Sequence, residues 1–134
     1  MPFLEQLPSN SIYTIYQDRQ GFVWIGTSYH GVMRYDGYTV QGFRNDFETP
    51  RQLADNDITT FSEDDKYLWL GTCQGISLID KLTYQIIPFP DETIQNSDIR
   101  DIIVDKKGQI LLVTLHAIYK CYSDLAIQKV YKQF

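Results

Sequence analysis

One phrase recurs three times along this chain, and the interval between its copies constrains the fold more than any single residue. The first copy is Phe22-Val23-Trp24-Ile25-Gly26-Thr27, followed by Gly31-Val32-Met33-Arg34-Tyr35-Asp36-Gly37. The second is Tyr67-Leu68-Trp69-Leu70-Gly71-Thr72, then Gly75-Ile76-Ser77-Leu78-Ile79-Asp80. A third, worn copy reads Ile110-Leu111-Leu112-Val113-Thr114, then Ala117-Ile118-Tyr119. Trp69 follows Trp24 by 45 residues, and Leu111 follows Trp69 by 42. A period in the forties is the mark of a blade or solenoid array.

The copies agree upstream as well. Asn10-Ser11-Ile12-Tyr13-Thr14-Ile15 corresponds to Asn56-Asp57-Ile58-Thr59-Thr60-Phe61 and to Ser97-Asp98-Ile99-Arg100-Asp101-Ile102. An acidic turn residue comes next in each copy: Asp18, Asp64 and Asp105. Each unit therefore reads as a short strand, an acidic turn, an aromatic strand ending in Gly-Thr, and two further strands. Four strands per unit is the plan of a β-propeller blade. The fold expected is all-β, a partial propeller of three four-stranded antiparallel blades, with repeats at about 7–52, 53–95 and 96–134. Closed propellers hold four to eight blades, so the chain is a propeller fragment or a shortened relative.

Strand chemistry supports this. In 22–27 the alternating sets Phe22, Trp24, Gly26 and Val23, Ile25, Thr27 are both mainly apolar, so the strand needs cover on both faces. Ile12 and Ile15, Ile58 and Phe61, and Ile99 and Ile102 sit three apart and are expected on opposite faces; the runs are too short and β-branched for a helix. Gly26 and Gly71 inside strands predict close approach of a neighbour. Asp36-Gly37 predicts a two-residue hairpin with positive φ at both places. Trp24 and Trp69 read as core, in preference to sugar-stacking platforms, because each lies in the most apolar strand of its unit.

Composition removes several functions. The 134 residues suit one compact domain. A net charge of −5 argues against a nucleic-acid binder. No apolar run is long enough to span a membrane, so this segment has no expected membrane contact. Met1-Pro2-Phe3-Leu4 carries no signal-peptide pattern, which predicts a cytoplasmic chain or a mature segment behind a start Met. Cys73 and Cys121 read as free thiols, neither a disulfide framework nor a zinc site. No cofactor is expected. Asp55-Asn56-Asp57 lacks the glycine and terminal glutamate of a calcium loop, and nucleophile elbows, phosphate loops and zincin motifs are absent from the sequence. A glycosidase would need two carboxyls across one cleft, which Asp64-Asp65 and Asp91-Glu92 do not announce.

The run Asn-Ser-Ile-x-x-Ile-x-x-Asp-x-x-Gly-Phe-x-Trp-Ile-Gly-Thr, then Gly-Val-x-Arg-Tyr-Asp-Gly, resembles the two-component-regulator propeller repeat. The first copy, Asn10 to Phe43, matches over its whole length, and Asn56 to Asp80 matches well. In Ser97 to Tyr122 the Trp and both glycines are replaced by Leu111, Val113 and Ala117. The resemblance implies the periplasmic sensor region of a hybrid two-component system, a non-catalytic segment sensing glycan-derived ligands, with the rest of a larger sensor protein as its partner. The alternatives are a protein–protein scaffold and a fragment of a propeller-type glycan hydrolase.

The structural motif is expected to consist of Trp24, Gly26, Gly31, Asp36, Gly37, Trp69, Gly71 and Gly75. Asp18 fits a turn carboxylate accepting backbone N–H groups. The sharpest ligand-binding candidates are Tyr29, His30 and His116, in the turns between second and third strands; the plainer reading of both histidines is exposed turn residues. Two blades at the ends lack one neighbour each, which predicts a homodimer.

Overall fold

The computed structural model describes residues 12–28, 31–43, 53–55 and 57–132. It is all-β, with three antiparallel four-stranded sheets among the described residues. The first holds β1 (Ile12–Gln17), β2 (Val23–Thr27), β3 (Val32–Tyr35) and β4 (Val40–Phe43). The second holds β5 (Ile58–Glu63), β6 (Tyr67–Thr72), β7 (Gly75–Asp80) and β8 (Ile86–Pro88). After one turn of helix, α1 (Glu92–Gln95), the third holds β9 (Ile99–Val104), β10 (Ile110–Thr114), β11 (Ala117–Cys121) and β12 (Ile127–Lys132). Each sheet is a meander whose strands pair in chain order.

The second sheet lies between the other two and is apolar on both faces. One face carries Ile58, Phe61, Leu68, Leu70 and Ile79, which meet Trp24, Val32 and Phe43 of the first sheet. The other carries Trp69, Ile76 and Leu78, which meet Ile99, Ile102 and Leu112 of the third. Cover from both sides is why β7 is buried along nearly its whole length.

The spacing of three in each first strand resolves differently from the expectation. The pairing of β5 with β6 slips between Ile58 and Thr60, so Thr59 is an extra residue. That bulge cancels one alternation. Ile58 and Phe61 therefore share one face, opposite Thr72 and Leu70. The same slip in β9 puts Ile99 and Ile102 together, and the one in β1 does so for Ile12 and Ile15.

Gly26 and Gly71 are sockets for those isoleucines. A Cβ on Gly26 would stand 2.8 Å from Ile58 Cγ2, and one on Gly71 would stand 2.8 Å from Ile99 Cγ2. Both tryptophans are buried, at 1% and 0% exposure. Trp24 Nε1 donates to Asp18 Oδ2 (2.8 Å), and Trp69 Nε1 donates to Asp64 Oδ2 (3.0 Å). The other Asp18 oxygen accepts from the N–H groups of Gln20 and Phe22. One carboxylate thus closes the turn and satisfies an indole that burial would otherwise leave unpaired. Leu111 holds the register place of the tryptophans, half-buried. The hairpin after β3 also corrects the expectation: positive φ falls on Gly37 alone, and Asp36 stands before the bend, accepting from the N–H groups of Tyr38 and Thr39.

The two inter-sheet joints differ in chemistry. Between the first and second sheets, Glu63 accepts from Tyr16 Oη (2.8 Å) and the Arg19 N–H (2.9 Å), and pairs with Lys81. Arg19 also reaches Asp65, and the Arg34 guanidinium lies 4.1 Å from the Tyr84 ring centre. Between the second and third sheets Thr59 Oγ1 donates to the Ile99 carbonyl and Thr60 Oγ1 to Asp101 Oδ1 (3.4 Å), while the Ile76 N–H donates to Gln95 Oε1 of α1.

Candidate ligand-binding rim

Each unit ends its second strand in threonine, and the hydroxyl closes the next turn. Thr27, Thr72 and Thr114 donate to the carbonyls of Gly31, Gly75 and Ala117 at 2.8, 2.8 and 3.0 Å. The residue after the threonine then ties that turn to the segment entering the first strand: Cys73 N–H donates to the Asp57 carbonyl, and Leu115 N–H to the Asp98 carbonyl. Asp57 and Asp98 are equivalent in the repeat, and both are fixed at the same end of the molecule as the second-to-third-strand turns.

His116 is exposed in this rim and lines a cleft of about 290 Å³ with Asn96, Ser97, Asp98, Tyr119 and Lys129. Asp98 is ion-paired with Arg100 at 2.7 Å. On the neighbouring unit, Asp55, Asp57 and Cys73 bring their side-chain donor atoms within 4.8 Å of one another. The Cys73 thiol donates to Asp57 Oδ2 at 3.3 Å. Burial first, then that hydrogen bond and the charges of Asp57, Asp98 and Asp55, push the thiol up to about 11, so at neutral pH it is a protonated donor. That thiol–carboxylate contact joins two of the three, Cys73 and Asp57. A larger hollow, about 460 Å³, lies at the opposite end, but its walls include the long side chains of Arg19, Lys66, Lys81 and Leu82, the last 91% exposed.

Among the described residues the rim offers carboxylate acceptors, amide and hydroxyl groups and an imidazole, a set suited to a polyhydroxylated ligand. Tyr29 and His30 lie outside the described residues. Of the sequence candidates His116 is placed, and it is joined by Asp98, Asn96 and Lys129, which sequence reasoning passed over. The signal for Asp98 was present: acid precedes isoleucine in both Asn56-Asp57-Ile58 and Ser97-Asp98-Ile99.

The family described as two component regulator propeller matches residues 6–29, which bears out the resemblance read from the opening repeat. Among curated proteins none matches the chain. Solved structures do. One, described as the extracellular domain of the hybrid two component system BT3049 from B. thetaiotaomicron, is 26% identical with a TM-score of 0.75, covering 96% of this chain and 17% of that one. Another, the extracellular domain of BT4673 from the same organism, is 23% identical with a TM-score of 0.75, covering 95% of this chain. The likeness confirms the propeller-blade fold. The chain spans about a sixth of the length of these relatives, 17% in each case.

Proposed function

We propose that this chain is a non-catalytic recognition segment of a periplasmic two-component sensor, and that its rim binds glycan-derived ligands. The observation that carries the reading is the likeness over 96% of the chain to an extracellular domain of a hybrid two component system. The rim supports the ligand class. Sugar hydroxyls donate well to carboxylates, and Asp57 and Asp98 are held there by backbone bonds to adjacent turns. Ligand sites of this kind combine a concave surface with a few fixed polar groups. No helix among the described residues is long and apolar enough to cross a membrane.

The test is a panel of oligosaccharides screened by thermal shift and calorimetry, with the sugars analysed afterwards. At least one should bind saturably and be recovered intact, and His116→Ala with Asp98→Asn should weaken it by about tenfold, the loss of one to two polar contacts. Failure of the whole panel overturns glycan recognition. Cleavage of a bound sugar overturns the non-catalytic assignment.

A further inference from the structure

The two internal joints use one device. An isoleucine at the start of a first strand, Ile58 or Ile99, enters a glycine socket on the second strand of the preceding sheet, Gly26 or Gly71. Register places the third sheet's socket at Val113. Gly26 pairs with Thr14 and Val32, Gly71 with Thr60 and Ile76, and Val113 with Asp101 and Ile118. The surrounding face is largely apolar, though Asp101 and Lys120 share it: Leu111, Val113 and Ile118 are half-buried and Ile103 is 45% exposed. In the first two sheets this same face is the one that receives the next sheet.

We propose that this face receives a further four-stranded sheet, and that Val113 selects its chemistry: the residue entering the socket is small, alanine or serine in place of isoleucine. The argument is steric. A bare Cβ at the socket already stands 2.8 Å from the incoming Cγ2 and 3.0 Å from the incoming Cβ at Gly26, against ordinary carbon contacts of about 3.5–4.0 Å. Valine adds two methyl groups to that Cβ. Valine and alanine together hold as many side-chain carbons as isoleucine facing glycine, so a small incoming residue restores the filled volume without overlap. A second copy of this chain would present Ile12 at the socket, since Ile12 is the equivalent of Ile58 in register. Head-to-tail pairing of two copies in the geometry of the internal joints is therefore excluded by the same overlap. The proposal does not depend on what the rim binds.

The test extends the full chain after Phe134 with a second copy of residues 44–95, once unaltered and once with Ile58→Ala in the appended copy. The alanine version should slow amide exchange in β10 and β11 by about tenfold or more, as expected for newly covered strands, and should lower binding of an apolar dye. The isoleucine version should leave both as in the unextended chain, and Val113→Gly should restore protection to it. Near-ultraviolet circular dichroism from Trp24 and Trp69 checks that each variant is folded. Equal protection by both versions with Val113 in place overturns the selection rule. Protection by neither, with the chain folded, overturns the docking face.

Discussion

Gly71→Ala adds a single methyl group, and the structure decides its sign. The new Cβ would lie 2.6 Å from Thr60 Cγ2, 2.8 Å from Ile99 Cγ2 and 3.1 Å from Thr59 Oγ1. Ordinary carbon contacts are about 3.5–4.0 Å, so two methyl groups must give by roughly 1 Å. Neither belongs to a flexible chain end: Thr60 and Ile99 are β-branched and stiff at χ1, and Ile99 is fully buried. Backbone conformation gives alanine no handicap, because Gly71 is not among the glycines with positive φ. In open space the change would stabilise by about 0.4–1 kcal/mol through the unfolded chain. Overpacking of a filled core costs about 1–3 kcal/mol, leaving a net loss of about 1–2 kcal/mol. Urea unfolding followed by tryptophan fluorescence reads this directly, since Trp69 lies in the joint concerned. Gly42→Ala is the control: nothing stands within 4 Å of its Cβ, so it should be neutral or slightly stabilising. Ile99→Ala alone should cost about 2–5 kcal/mol, and the double variant should be better than the sum by about 1 kcal/mol, because the two residues share one space. If Gly71→Ala matches wild type, or if the pair is additive, the socket account is wrong.

Further outcomes follow from the same geometry. Asp18→Ala should cost about 2–3 kcal/mol in urea unfolding, since it orphans a buried indole N–H and two turn N–H groups; Asp105→Ala, whose unit has Leu111 in place of tryptophan, should cost visibly less. Trp69→Ala should cost about 3–5 kcal/mol as a large buried aromatic. Burial first, then the charges of Asp124 and Asp64, push the Cys121 thiol up to about 12, from 9.0. A raised folded value favours the protonated thiol, so its contribution is whole below about pH 9 and is lost as pH rises toward 12. Thiolate absorbance near 240 nm should appear late in native protein and near the ordinary value in urea, and Cys121→Ala should flatten the fall in stability above pH 9.

The repeat made the architecture legible: three copies of one strand order fixed the sheet number, and the recurrence of Trp24 and Trp69 placed them in the core. What alternation could not reveal was the bulge. Ile58 and Phe61 read as opposite-facing because strict period two puts residues three apart on opposite sides, and only the extra residue Thr59 returns them to one face. The indole bonds escaped notice for a related reason: Asp18 and Trp24 are separated by six residues and Asp64 and Trp69 by five, so no constant spacing advertised them. His116 was found by type, whereas Asp98 and Asn96 join it only because a turn amide bonds the Asp98 carbonyl, a contact that chain position does not disclose.

The unlike joints between sheets set an order of opening. The joint made through Glu63, Arg19, Asp65 and Lys81 draws on charge as well as burial, so salt, which screens the exposed Arg19–Asp65 pair, weakens it. The joint through Ile99, Trp69 and Leu78 draws mainly on burial, and answers to cold and denaturant more than to ionic strength. The molecule should thereby divide into unequal foldons: at high salt, exchange-protected amides should persist in β6, β7 and β10 after those of β2 have gone. A signal arriving at either end would meet a seam of different compliance.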